Sequence, residues 1–278
     1  MIFTSDNTNK LGHGLGLRSP HIDYILATKP KVDWFEVVTE NYMHTRGNSF
    51  QKLMSVRKDY PIAIHGVSLS IGSTDEFDQN YLQTWKNFID LIEPVMVSDH
   101  LCWTHVNAHH SHDLLPLPYT EEVIKHIVDR IDAVQNHIAR PILLENASTY
   151  ISFKESDLTE WTFISEIAQR SGCGILLDIN NIFVNAHNHQ FDPIEYIHGI
   201  DPHKIGYFHL AGHFDKGTYL FDTHGDRMAE QAWQLYEKTV QHTGLKPTLI
   251  EWDNDIPSFD TLMDERSIAI QRGQHAIA

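Results

Sequence analysis

The stretch GILLDIN at residues 174–180 decides the fold, because it is a short apolar run that ends in polar residues and the same pattern recurs along the chain. Seven further runs rich in Val, Ile, Leu and Phe lie at residues 12–18, 33–38, 61–66, 94–99, 140–146, 205–210 and 247–252. Runs of this kind, separated by segments of helical periodicity, indicate repeated β-α units. The sequence therefore predicts eight such units.

Amphipathic helix patterns lie between the strand candidates, most clearly at residues 78–92, 120–138, 157–171 and 227–243. Thr120, followed by Glu121 and Glu122, has the form of a helix N-cap with acidic residues in the first turn. No Gly/Ser/Pro-rich linker divides the 278 residues, so we expect one domain over residues 1–278. Eight β-α units without a boundary predict an α/β fold, a single (β/α)8 TIM barrel, with a doubly wound sheet as the alternative.

Residues able to bind a metal end six of the eight strand candidates. In chain order they are His65, His100, Glu145, Asp178, His209 and Glu251. The C-terminal strand ends of a TIM barrel form its active-site mouth, so these six side chains are expected to converge. Clustered buried carboxylates repel one another unless a cation neutralises them. The pattern therefore predicts a metal site at the mouth.

The segments next to these strand ends offer further ligands. Asp222 and His224 in FDTHG have a spacing that lets both side chains reach one ion in an extended segment. Asn181, three residues after Asp178, offers its amide oxygen to the same ion.

Other polar residues are candidates for contact with a substrate. Arg18, Glu36, Glu40 and Asn41 end the first two strands, where the alternative is a salt-bridge network that closes the barrel. His213 in HLAGH is a further substrate-binding candidate that alternatively lies behind the ligands. A predicted loop after the fourth strand contains His105, His109, His110 and His112, which we expect to contact solvent or substrate.

The composition excludes several classes of protein. Lys and Arg number 21 against 37 Asp and Glu, and the net charge of −16 disfavours nucleic acid and acidic membranes as partners. The chain has no apolar stretch of about 18 residues and no signal-peptide pattern at its start, which predicts a cytoplasmic protein. Cys102 and Cys173 are too few for a disulfide framework, and we assign them no chemistry. The 20 histidines are about three times average usage and favour metal binding.

Long, ordered motifs extend over roughly residues 12–260. They are GLGLR, WFEVVTENYM, AIHGVSLSIGS, VSDHLCW, DLLPLPYTEE, ILLENASTY, GCGILLDINNIFVNAHNH, YFHLAGH, DTHG and PTLIEWDNDIP. These motifs resemble those of the multinuclear non-haem iron family typified by the methanobactin-biosynthesis protein MbnB. The resemblance implies a xylose-isomerase-like TIM barrel whose ligand arrangement is similar to that of the trinuclear endonuclease IV enzymes.

The same resemblance implies three sets of metal ligands. They are Glu145, Asp178, His209 and Glu251; His65 and His100, with Glu145 bridging; and Asn181, Asp222 and His224. His65, His100 and Glu145 are implied to be catalytic. The motif VSDHL departs from the family pattern at Asp99, where Glu is expected, and Cys102 stands where a small residue is expected. These departures concern the neighbours of His100 and bear on the substrate rather than on the metal.

The activity implied by the resemblance is oxidation. Two or three iron ions (Fe2+/Fe3+) would activate dioxygen and oxidatively modify a cysteine in a ribosomally made precursor peptide, usually with a partner protein that recognises the precursor. Iron suits mixed imidazole and carboxylate ligands with open positions, and zinc or manganese are possible substitutes.

Three other functions fit the same ligands. A zinc or manganese phosphodiesterase resembling endonuclease IV is disfavoured by the charge of −16, because a barrel that reads DNA needs a basic surface around its mouth. A sugar isomerase is disfavoured because no strand end supplies a lysine. A metal-binding protein without catalysis would have a closed coordination shell, since catalytic ions keep an open position.

Overall fold

The computed structural model describes residues 11–107 and 109–278. Its strands are β1 (His13–Gly16), β2 (Phe35–Val38), β3 (Ile62–His65), β4 (Val97–His100), β5 (Trp103–Val106), β6 (His109–Leu115), β7 (Leu143–Glu145), β8 (Gly174–Asp178), β9 (Ile205–Leu210), β10 (His213–Asp215), β11 (Leu220–Asp222) and β12 (Thr248–Ile250). Eight of them form a closed barrel in the order β1-β12-β9-β8-β7-β4-β3-β2, and every pair in it is parallel. The predicted (β/α)8 barrel is confirmed, and the doubly wound alternative is wrong.

Helices cover the outside of the barrel. They are Ile22–Thr28, Glu40–Met43, Asn48–Val56, Gln79–Ile92, Glu121–Ile138, Glu160–Ser171, Ile179–His189, Pro193–His198, Glu230–Thr243 and Phe259–Ala276, with a 3-10 turn at Ser19–His21. The predicted N-cap at Thr120 is present, since its hydroxyl accepts a hydrogen bond from the Val123 amide at 3.3 Å. Among the described residues, no helix is long and apolar enough to cross a membrane.

The barrel interior is built in layers. Seven residues, each on a barrel strand or directly before one, form a buried apolar layer: Trp34, Ala63, Met96, Leu143, Leu176, Tyr207 and Leu249. Side chains two positions apart on a strand share a face. The next layer towards the C-terminal ends therefore contains Glu36, His65, Ser98, Glu145, Asp178, His209 and Glu251, all of them buried. The apolar layer closes the bottom of the barrel, so the polar side chains above it are accessible only from the mouth.

Gly14 makes room for the largest side chain of the apolar layer. A Cβ atom on Gly14 would lie 2.5 Å from the Trp34 indole ring, closer than packed carbon atoms can approach. The glycines of LGHGLGL thus serve close packing, as such a residue in a strand commonly does.

A β-hairpin, and not a loop, carries the histidines that follow the fourth barrel strand. His105 lies on β5 and pairs with His110 of β6, the strand that also includes His109 and His112. The reverse turn includes Asn107 with a φ of 50°, a left-handed conformation that Asn tolerates. The sequence missed these strands because this part of β6 is exposed and so lacks the apolar alternation that marks a half-buried strand. The side chains of His109, His110 and His112 face solvent, as expected.

Candidate metal centre

Three groups of possible ligands meet at the C-terminal end of the barrel. They are His65, His100 and Glu145; Glu145, Asp178, His209 and Glu251; and His224, Glu251 and Asp253. Within each group the ligand atoms lie within 4.8 Å of one another. Glu145 belongs to the first two groups and Glu251 to the last two, so the three groups form one continuous cluster. The strand register explains this, because Glu145 lies opposite His100 and Asp178 lies opposite His209.

The first group has two imidazoles directed at one carboxylate oxygen. Oε2 of Glu145 lies 3.1 Å from Nε2 of His65 and 3.5 Å from Nε2 of His100. The other nitrogen of each ring is held from behind: Nδ1 of His65 lies 2.9 Å from Oγ of Ser98, and Nδ1 of His100 lies 3.1 Å from the Gly66 carbonyl oxygen. Partners of this kind fix the ring orientation of a metal-binding histidine.

The second group surrounds Nδ1 of His209. This nitrogen lies 2.9 Å from Oε2 of Glu251 and 3.5 Å from Oε1 of Glu145, while Nε2 on the far side of the ring lies 2.9 Å from Oε1 of Glu36. Asp178 uses Oδ1 to cap the helix Ile179–His189, accepting a hydrogen bond from the Asn181 amide at 2.6 Å. Its Oδ2 remains free to face the cluster.

His224 is central to the third group. Nε2 of His224 lies 2.8 Å from Oδ1 of Asp222, so the Asp-x-His pair meets as the sequence predicted, and Nδ1 lies 3.2 Å from Oε2 of Glu251 and 3.5 Å from Oδ2 of Asp253. His224 has a φ of 44°, the left-handed region that a residue with a Cβ seldom occupies. Strained backbone of this kind is frequent at functional sites.

The charges of the first group are strongly coupled. Burial alone would lower the pKa of His65, but the carboxylate of Glu145 and, more weakly, that of Glu36 raise it to about 9. Burial likewise opposes ionisation of Glu145, yet the imidazoles of His209, His100 and His65 hold its pKa well below the usual range. Glu145 is therefore an anion, and His65 is a cation in the metal-free chain.

The second group repeats this arrangement. Burial disfavours the charged form of His209, but Glu251, Glu36 and Glu145 raise its pKa well above the ordinary value. Burial also raises the pKa of Asp178 well above its ordinary value, against the opposing effect of His224. In the metal-free chain, protons thus supply part of the positive charge that so many buried acids require.

Several buried ligand atoms make no hydrogen bond to any described residue. Oδ2 of Asp178 and Oδ1 of Asn181 are in this state, and the carboxylate oxygens of Glu145 face only the imidazole nitrogens of the cluster. Buried oxygens without a donor are costly and seldom occur without a reason. Oxygen atoms together with imidazole nitrogens form the mixed donor set of Fe, Mn and Zn sites. The residues present therefore fit bound metal ions.

Arg18, His213, Glu40 and Asn41, the predicted substrate contacts, do not line the mouth cavity. Arg18 forms ion pairs with Glu251 and Asp253. His213 contacts Oδ1 of Asn180, and the Nδ2 group of Asn180 donates a hydrogen bond to Asp222. These two side chains hold ligands or their neighbours.

The other two candidates lie on the short helix Glu40–Met43 that follows β2. Glu40 accepts hydrogen bonds from the Val67 amide and the Tyr81 hydroxyl and so fixes the loop after β3. Asn41 is exposed on the short helix Glu40–Met43.

Sequence reasoning missed Asp253, Ser98 and Tyr207. Ser98 lies two residues before His100, and Tyr207 lies two residues before His209. Because side chains alternate along a strand, each of them shares a face of the strand with the histidine that follows it. That spacing was a usable signal. Asp253 follows the last barrel strand in EWDNDIP and had no signal besides its charge.

The mouth contains a cavity of about 200 Å³ beside the ligands. His65, His100, Asn181, His224 and Glu251 line it, together with the apolar side chains of Val38, Val67 and Leu114. At about 30 Å³ for each water molecule, it has room for roughly six waters or one amino-acid side chain.

A group of exposed apolar side chains, here called the apolar rim, lies beside the mouth. It consists of Tyr150, Ile151, Phe214, Tyr219 and Phe221, which are between 40% and 58% exposed. The ring of Tyr150 lies 5.5 Å from that of Phe221, and its hydroxyl accepts a hydrogen bond from the amide of Asp222. The apolar rim is thus continuous with the third ligand group.

The fold and the site together define a (β/α)8 TIM barrel with a ligand-rich mouth. The family described as RiPP precursor modification enzyme MbnB/TglH/ChrH matches residues 12–273, and the chain belongs to this family of enzymes that modify ribosomally made peptides. A UPF0276 protein of Anaeromyxobacter sp. (strain Fw109-5) is 47% identical over 96% of this chain and 95% of its own length. A UPF0276 protein of Acaryochloris marina (strain MBIC 11017) is 48% identical over 91% of this chain and 92% of its own.

Solved structures agree on the fold. A D-tagatose 3-epimerase-like protein superposes with a TM-score of 0.63 at 16% identity, covering 95% of this chain and 98% of its own. Endonuclease IV from Thermus thermophilus superposes with a TM-score of 0.55 at 12% identity, covering 96% of this chain and 98% of its own. At these identities the likeness concerns the barrel alone.

Proposed function

We propose that this protein is a multinuclear iron enzyme that uses dioxygen to modify a cysteine in a ribosomally made precursor peptide. One observation carries the proposal: three ligand groups share Glu145 and Glu251 at a barrel mouth, and buried ligand oxygens there make no hydrogen bond to any described residue. Membership of a family that modifies precursor peptides supplies the substrate class.

The proposed ligands are those that the sequence selected. His65, His100 and Glu145 would hold one ion, Glu145, Asp178, His209 and Glu251 a second, and Asn181, Asp222 and His224 a third, with Asp253 beside it. Iron bound there would supply the redox chemistry that couples dioxygen to oxidation of a thiol. His65, His100 and Glu145 are the proposed catalytic residues because they line or adjoin the cavity and belong to the bridged groups.

The chain itself would orient the substrate and keep water out. The cavity of about 200 Å³ is large enough for one side chain, and Val38, Val67 and Leu114 give it an apolar wall. A cysteine side chain is small enough for this cavity, and its thiolate is a metal ligand, so it suits a site beside bound metal ions. The apolar residues would shield the reacting sulfur from bulk water.

The apolar rim is the proposed contact for the rest of the peptide or for a partner protein that presents it. Exposed apolar patches that border a site mark interaction surfaces. Because the rim holds Asp222 through the hydroxyl of Tyr150, a peptide lying on it would reach the mouth directly.

Metal content is the first test. The chain is purified without oxygen, and iron, zinc and manganese are measured together. Two or three irons per chain with little zinc are expected. Two or three zincs without iron would contradict the proposal and favour hydrolysis, which cleavage of abasic-site DNA would then examine.

Reaction with a peptide is the second test. The protein is co-expressed with short cysteine-containing peptides that are encoded next to its gene, and with the other proteins encoded there. The peptides are then analysed by mass spectrometry. An oxygen-dependent mass change with loss of an alkylatable thiol is expected. H65A and E145A should abolish it, whereas H203A, which removes an exposed histidine far from the mouth, should not. Full product formation by H65A would contradict the ligand assignment.

A further inference from the structure

A chain of buried hydrogen bonds runs beneath the ligand cluster and joins two of its groups. Oε1 of Glu36 lies 2.9 Å from Nε2 of His209, and Oε2 accepts a hydrogen bond from the Tyr207 hydroxyl at 2.6 Å. The Tyr207 oxygen lies 2.7 Å from Oγ of Ser98, which lies 2.9 Å from Nδ1 of His65. Glu36, Ser98 and Tyr207 are all buried and are not ligands in any of the three groups.

The short contacts of this hydrogen-bonded chain determine the order of its hydrogens. A carboxylate accepts and has nothing to donate, so Glu36 receives a hydrogen from Nε2 of His209 and another from Tyr207. Tyr207 has then used its single hydrogen, and its oxygen accepts from the Ser98 hydroxyl at 2.7 Å, a much shorter contact than the 3.5 Å from that hydroxyl to the Ile64 carbonyl oxygen. Ser98 has in turn used its own hydrogen.

The last link follows from this order. With its hydrogen given to Tyr207, the Ser98 oxygen must accept from Nδ1 of His65. Both ends of the chain are therefore imidazole N–H groups that point away from the cluster, at His65 and at His209.

The nitrogens on the opposite sides of the two rings are the ones that face the cluster. Nε2 of His65 lies 3.1 Å from Glu145, and Nδ1 of His209 lies 2.9 Å from Glu251. A metal binds the imidazole nitrogen whose partner across the ring holds the hydrogen. The ends of the chain thus determine which nitrogen each ring can offer to an ion.

We propose that Glu36 is a positioning residue that sets the tautomer and orientation of His65 and His209 together, acting on His65 through Tyr207 and Ser98. The inference rests on the proposed metal centre. It assigns to one carboxylate the preparation of ligands in two separate groups, although Glu36 itself touches only one of them. It also explains why a tyrosine, Tyr207, stands in the otherwise apolar layer, with its hydroxyl in contact with Ser98 and Glu36 of the layer above.

The variants Y207F and S98A interrupt the branch to His65 and leave the bond between Glu36 and His209 in place. Y236F is the matched control, because Tyr236 is also a fully buried tyrosine but lies on the outer helix Glu230–Thr243. Metal-free protein is titrated with Co2+ and with Fe2+ under anaerobic conditions, and binding is followed by optical absorption and by competition with a chelator. The equivalent that H65A loses identifies the ion held by His65.

Y207F and S98A should weaken that one equivalent roughly 10- to 100-fold, the usual effect of removing a partner behind a ligand, and should leave the remaining equivalents unchanged. Y236F should bind every equivalent like the wild type. In E36Q one of the two carboxylate oxygens becomes an amide N–H group, which faces either His209 or Tyr207. The direction of the hydrogen bonds is then reversed on that side, so at least one metal equivalent should weaken to a similar extent. Equal weakening of all equivalents by Y207F, or no weakening, would overturn the proposal.

A second measurement needs no metal and is made above pH 9, where His65 holds a single proton. In protein that contains 15N-labelled histidine, the Nδ1 proton of His65 and the Nε2 proton of His209 should give downfield imidazole resonances, assigned with H65A and with His209→Ala. The His65 resonance should shift in Y207F while that of His209 stays in place. Nδ1 of His65 without a proton would overturn the inference even if metal binds. Failure of the wild type to bind any metal in the titration would instead overturn the proposed function. The imidazole resonances do not depend on bound metal, so the two failures can be distinguished.

Discussion

The stability of the metal-free chain should fall as the pH rises from about 6.5 to 9, in part because of His65. Glu145 raises the pKa of His65 to about 9 against the opposing effect of burial, while an unfolded chain has the ordinary value near 6.5. Between these values the folded state binds one proton more than the unfolded state, so raising the pH lowers the free energy of unfolding. At about 1.4 kcal/mol for each pH unit, this difference corresponds to about 3 kcal/mol.

Urea unfolding of chelator-treated protein at pH 6 and pH 9.5 measures this loss. The H65Q variant lacks the titrating group, so the change with pH should be smaller in H65Q than in the wild type by about 3 kcal/mol. Adding Fe2+ or Zn2+ should reverse the trend for the wild type, since a metal competes with protons for the same nitrogen and binds more tightly at higher pH. Parallel pH profiles of the metal-free wild type and H65Q would refute the coupling of His65 to Glu145.

Three further outcomes are expected. G14A should destabilise the chain by about 1–3 kcal/mol in urea unfolding, because its Cβ would meet Trp34, whereas G47A, whose Cβ would have only Thr45 nearby, should have little effect. Chelation should lower the melting temperature of the metal-loaded protein, since a ligand at 100 times its Kd adds about 2.7 kcal/mol; an unchanged melting curve would contradict bound metal. Burial raises the pKa of Glu160 to about 7, so stability should fall as the pH rises from 4.5 to 7, and E160Q should lose this decline.

The barrel could be predicted because each strand is short, apolar and followed by a helical pattern. Thr120 shows how local the information is, since its hydroxyl caps the helix that the residues after it form. The hairpin of β5 and β6 could not be predicted, because its strands pair mainly through backbone groups and expose polar side chains. Some strands are also shorter than predicted: β7 spans only Leu143–Glu145, whereas the sequence predicted a strand over residues 140–146.

The candidate ligands could be predicted because parallel strands end at one edge of a barrel. His65 and Glu145 lie far apart in sequence, yet both end strands, and the fold brings them to 3.1 Å. The direction in which a ring nitrogen points could not be predicted in this way. It depends on Ser98 and Glu36, whose contacts with the imidazoles cross from one strand to another.

Asp253 shows where sequence reasoning reaches its limit. Its partner Arg18 precedes it by 235 residues, and the two meet only because β1 pairs with β12 to close the barrel. The guanidinium of Arg18 also lies 3.5 Å from Glu251, so it adds positive charge to the same acids that face His224. Glu251 could be found from the sequence because it directly follows a strand. The negative charge of Asp253, however, is balanced by Arg18, which lies near the opposite end of the chain. Closure of the barrel, and not spacing within the motif, therefore sets the electrostatics of the third group.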